Sequence, residues 1–146
     1  RSVVILSKFT MAVSLWTISY TLCFGVTYAY TAYFWKGDMV SNILLSVFCL
    51  WLFGILLLAC VILGGVLFKS SYGCLLFTGG FVVALLLINI IPKVQEYNPI
   101  ILSSSNMALL TNEMSVSDFT LPIVICFVAA AGFVILAIAL FNKKQL

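Results

Sequence analysis

The chain carries no histidine and four carboxylates, Asp38, Glu96, Glu113 and Asp118. A Ser-His-Asp triad, a His/carboxylate metal site and a paired-carboxylate hydrolase therefore lack their parts. The remaining nucleophiles are Cys23, Cys49, Cys60, Cys74 and Cys126. They are odd in number, none forms a C-x-x-C pair, and each lies inside or at the end of an apolar run. That placement suits small packing residues better than a redox pair. The stretch GVLFKSS, residues 65–71, has a passing likeness to a nucleotide loop, but it lacks the Gly-Lys pair of G-x-x-x-x-G-K-S/T and follows an apolar run instead of a strand. The residues point away from an enzyme, from a bound cofactor or metal, and from ATP binding by this chain. Seven basic residues give a net charge of +3, but they are scattered between apolar runs, which argues against a nucleic-acid surface.

What polar chemistry remains is that of hydroxyls and amides within apolar sequence. Ser14, Thr17, Thr21, Gly25, Tyr28 and Ala32 recur at steps of three and four, so they share one helical face. Such a face either packs against another helix, because small residues let backbones approach, or lines a pathway. Thr78, Phe81, Leu85 and Asn89 form a second face, the one on its run that joins two polar groups to an aromatic ring. Asn89 stands about one turn before Pro92; it can bond carbonyls freed by the proline, or offer a polar contact to something passing. No Asp, Glu, Lys or Arg falls well inside the runs, so proton relays and carriers built on buried charge are not expected.

The elements that must hold these residues follow from composition. Of 146 residues, 64% are hydrophobic and 8% charged, with a mean hydropathy of +1.27, whereas a soluble domain is roughly 45–50% apolar. This is the composition of an integral membrane protein. Four runs, at about 11–35, 42–68, 71–91 and 119–141, reach the roughly 20 residues a membrane-crossing helix needs. The doublets Gly64-Gly65 and Gly79-Gly80 flank the turn between the second and third, where they allow close antiparallel packing. Tyr28, Tyr30, Tyr33, Phe34 and Trp35 gather at one end of the first run, as an interfacial aromatic belt does. Arg1, Lys8, Lys69, Lys143 and Lys144 fall on one side of the four spans and only Lys36 and Lys93 on the other, which places both termini in the cytoplasm. The start at Arg1, with no initiator methionine or signal-peptide pattern, fits a piece of a longer protein.

One stretch fits none of the spans. Residues 92–118 form a long outside segment with two apolar patches, Ile100 to Leu102 and Met107 to Leu110, each too short to cross. Asn98-Pro99 forces a turn, Ser103 to Ser105 and Asn106 offer N-caps for a helix from Met107 to Leu110, and Ser117-Asp118 can cap the last span with Pro122 in its first turn. Two short helical pieces, dipping against the main helices, are the reading these signals support. An ordinary interfacial loop is the other.

The order of these parts resembles that of the ABC-2 type permeases, the membrane subunits of bacterial ATP-binding-cassette exporters. The likeness covers essentially the whole chain: the start ILSKF, the aromatic span LWTISYTLCFGVTYAYTAYFW, two further spans, an outside segment opening IPKVQEYNPIIL, and a last span ending FNKKQL. It matches the C-terminal two thirds of that family. The resemblance implies an all-α membrane protein whose four spans are the family's third to sixth helices, with a short re-entrant helical segment that here covers Asn98, Pro99, Ser105, Asn106, Met107 and Leu110. It also implies a separate cytoplasmic ABC ATPase, a homodimer or heterodimer of permeases in the plasma membrane, and a central position for the span 71–91, whose face Thr78, Phe81, Leu85 and Asn89 would meet substrate or the partner subunit. The competing expectation is a stand-alone four-helix accessory or immunity protein in which the same faces only pack.

Overall fold

Lipid leaves backbone N–H and C=O groups no partner outside their own segment, so apolar runs of this length must satisfy themselves as helices. The computed structural model describes residues 2–34, 42–68, 70–95, 97–111 and 115–143. Arg1, Trp35, Lys36, Asp38, Lys69, Glu96, Glu113 and Lys144, which bear on the belt and the charge count, lie outside the described residues. The helices are α1 (Ser2–Phe34), α2 (Ile43–Leu67), α3 (Ser71–Ile88), α4 (Pro92–Gln95), α5 (Ile101–Ser104), α6 (Asn106–Leu110) and α7 (Val116–Lys143). No strand occurs among the described residues. Four of the helices, α1, α2, α3 and α7, are long and apolar enough to cross a membrane and suggest a multi-pass membrane protein.

Their ends differ from the sequence expectation in instructive ways. α1 begins at Ser2, not near residue 11, because exposed Lys8 does not interrupt a helix whose surface its stem can follow. α3 stops at Ile88 instead of 91. The Ile90 and Ile91 N–H groups reach back only three residues, to Leu87 and Ile88, since a residue before proline is steered out of the α region; Pro92 then opens α4, where its missing N–H costs nothing. α7 starts three residues early, which puts Pro122 beyond its first turn. Its cap is Ser115, not Ser117: the Asp118 carboxylate accepts from the Ser115 N–H at 3.2 Å and from the Ser115 hydroxyl at 2.8 Å, the returning half of a capping box. At the other end of the bundle Ser70 accepts from the Gly73 N–H at 3.2 Å and so caps α3.

α2 is the central helix, with α1, α3 and α7 packed on it. Half of its apolar stretch is buried against none of the corresponding stretch of α1, so α1 forms wall and α2 forms core. Aromatic polar groups fasten the two. Trp16 Nε1 donates to the Trp51 carbonyl at 3.3 Å, Trp51 Nε1 donates to the Thr17 hydroxyl at 3.1 Å, and the Tyr20 hydroxyl donates to the Val47 carbonyl at 2.9 Å. Indole and phenol groups in apolar surroundings need such partners. The close approach depends on Gly54, where a Cβ would overlap the Trp16 indole. Gly64 lies against α3, a Cβ there coming within 3.3 Å of the Cys74 carbonyl, whereas Gly65, Gly79 and Gly80 face open space. Large apolar side chains cover much of the outer surface: Met11, Leu15, Ile18, Leu22 and Val26 stand exposed along α1, and Tyr72, Leu76 and Leu87 along α3. An apolar patch of that extent marks a surface that water does not cover.

Candidate functional site

The segment between α3 and α7 closes one end of the bundle, and its polar residues decide how. α5 packs on α2 and α7, and α6 packs on α2. Ile100, Ile101, Leu102 and Leu109 join Cys49, Phe53, Leu85, Phe119 and Cys126 in one buried cluster. Both apolar patches are therefore anchored to the long helices. The segment bends at Asn98, which is 2% exposed. Its Nδ2 donates to the Leu85 carbonyl at 2.6 Å and its Oδ1 accepts from the Ile100 N–H at 3.1 Å, an Asx turn that leads through buried Pro99 into α5. The Leu85 carbonyl also accepts from the Asn89 N–H at 3.0 Å. Asn98 thus ties the loop to the end of α3.

A second amide fixes the other half. Asn106 Nδ2 donates to the Ser46 carbonyl at 2.9 Å and to the Leu102 carbonyl at 3.3 Å, while its Oδ1 accepts from the Ser46 hydroxyl. The expected serine N-caps for α6 do not form: Ser105 precedes the helix but makes no side-chain capping bond, because Asn106 is itself helical and its amide turns inward to α2. Ser105 contributes backbone instead, its carbonyl accepting from Leu109 N–H at 3.2 Å. Shielding of Met107 to Leu110 is one-sided. Leu109 is fully buried and Leu110 half-buried, but Met107 is 71% exposed, since a helix of five residues presents only one side to α2.

The face expected on α3 points into the bundle. The Thr78 hydroxyl donates back to the Cys74 carbonyl at 3.0 Å. Phe81 meets Phe133 of α7 edge to face with centroids 5.3 Å apart, and Leu85 is buried. Asn89 ends the helix, and the buried Oδ1 of its side chain has no hydrogen-bond partner. The side-chain amide that reaches a carbonyl near the end of α3 is Asn98, thirteen residues beyond Leu85, and not Asn89. On α1 the expected face divides. Thr17 is half-buried and bonded to Trp51, whereas Ser14, Thr21, Gly25, Tyr28 and Ala32 are exposed. The hydroxyls of Ser14 and Thr21 satisfy themselves on the carbonyls of Thr10 and Thr17. The side of α1 that packs carries Ile5, Phe9, Trp16 and Tyr20. Sequence reasoning missed Ser46 and Trp51; each is a hydrogen-bonding side chain within a long apolar run, which is the signal that marks them.

Chemically, the described part of the closed end offers the Asn98 and Asn106 amides and the Ser46 hydroxyl, all engaged in holding the chain, plus a buried acceptor without a partner on Asn89. Among the described residues these groups can position a ligand by shape and offer it a polar contact. Comparison with protein-family models, with curated proteins and with solved structures finds no match.

Proposed function

We propose that this chain is a membrane-spanning permease subunit of an ATP-binding-cassette exporter, forming the substrate path and driven by a separate cytoplasmic ATPase. The observation that carries the reading is the return of Asn98 to Leu110 into the bundle, with Leu102 and Leu109 fully buried between long helices. A segment of this kind between the last two spans is what the resemblance to ABC-2 permeases implies, and irregular backbone at membrane depth is tolerated where protein covers it. On this reading the segment is the re-entrant element, both termini are cytoplasmic, and a second permease subunit lies beside this one in the plasma membrane. The exposed, small-residue parts of α1 and α3, Gly25, Gly79 and Gly80, leave surface for such a neighbour. Asn89, whose buried Oδ1 has no partner in the closed bundle, is the side chain proposed to meet a polar group of the substrate when the helices part.

One observation favours a second reading. Phe81 and Leu85 are engaged within the chain, with Phe133 and the buried cluster, as expected of a four-helix accessory or immunity protein that transports nothing. Retention of amphipathic peptides, lipids and drugs in cells with and without the chain separates the two. Export that requires both ATP and the chain, with a substrate preference changed by Phe81→Ala and Asn89→Ala in protein that still folds, supports the permease. Unchanged retention across the panel, with loss of folded protein in both variants, supports packing alone.

A further inference from the structure

The end of the bundle away from α5 and α6 is built differently. There α1 begins, α2 ends, α3 begins and α7 ends, and their side chains leave a cleft of about 570 Å³. That is within the roughly 300–1,000 Å³ of small-molecule sites. Ile5, Ile62, Phe68 and Phe141 are among its apolar walls, and Gly65 leaves it wide, since a Cβ there would meet nothing within 4 Å. Among its described lining residues Lys8 is the one charge, and none is a carboxylate. Among the described residues the cleft thus joins hydrocarbon walls to one lining cation, Lys8, in a bundle whose long helices can cross a bilayer. Few chemical classes satisfy both features. An acidic peptide or free phosphate answers the charge but leaves the walls bare, and a zwitterionic lipid answers the walls but brings its own cation beside Lys8. An acyl chain under an anionic head answers both, and basic pockets between membrane helices recognise such heads.

We propose that this cleft holds one anionic phospholipid, its acyl chain against Ile5, Ile62 and Phe141 and its phosphate on the Lys8 ammonium. The site requires only that the helices span a membrane, so it stands or falls separately from export. The test is native mass spectrometry of the full chain, purified in detergent, stripped of lipid and offered phosphatidylglycerol or phosphatidylcholine. Wild type should retain one phosphatidylglycerol about fivefold better than phosphatidylcholine, the effect of one basic residue near the membrane surface. Lys8→Arg should keep that preference and Lys8→Gln should lose it. Gly65→Leu, which adds volume where space is open, should lower retention of both lipids while helix content and melting temperature hold. Equal retention of the two lipids by wild type, a preference that survives Lys8→Gln, full retention in Gly65→Leu, or displacement of the lipid by inorganic phosphate alone would each overturn the proposal.

Discussion

Both halves of the Asn98 amide are used in dry surroundings, one on the Leu85 carbonyl and the other on the Ile100 N–H. Asn98→Ala should therefore destabilise the protein by about 1–3 kcal/mol, the cost of leaving buried groups unpaired. Denaturation in detergent reads this directly, and Asn98→Asp, which keeps the acceptor and loses the donor, should also melt below wild type. Glycines give a sharper contrast. Gly54→Ala drives a Cβ into an indole held in place by its bond to Trp51 and should cost about 1–3 kcal/mol, whereas Gly25→Ala, with open space around it, should not destabilise the isolated chain. At this scale the turn at Asn98-Pro99 was legible because its cause is local. The division of labour between Asn89 and Asn98 was not, since the decisive acceptor, Leu85, lies thirteen residues away and only the fold brings it near.

Helices were legible where length and hydropathy force them, and least legible at their ends. Pro92 marks the region where α3 stops, yet an apolar Ile90-Ile91 pair continued the hydrophobic signal past the last helical residue. The short helices α5 and α6 could be suspected from two apolar patches between turn signals, but their inward sides could not be told apart until α2 and α7 were placed around them. The structure now distinguishes them. Leu109→Ala should cost about 2–5 kcal/mol by removing a fully buried side chain, while Met107→Ala should change stability little. Backbone amides of Ser103, Ser104 and Ser105, each bonded to the carbonyl of Ile100 or Ile101, should exchange slowly. Fast exchange throughout residues 100–110 would contradict the packed segment.

For the whole molecule, four long apolar runs announced four apolar helices, because an unbroken run of that length in lipid satisfies its backbone within its own segment. An even number of spans brings the start of α1 and the end of α7 to one side, with α5 and α6 on the other. In a chain freed of its own cysteines, a membrane-impermeant thiol reagent applied to intact cells should label cysteine at Thr111 and spare cysteine at Asn142; labelling of both would defeat the topology. The cleft beside Lys8 was invisible in the sequence, since four separated segments contribute to it. So was the inward aim of Phe81, which depends on Phe133 more than fifty residues later. The permease reading is tested most directly by mild-detergent purification of the tagged chain from its native membranes. An ATPase bearing a G-x-x-x-x-G-K-S/T loop should come with it in near-stoichiometric amount. Folded, monodisperse chain recovered alone or only with copies of itself would contradict that reading.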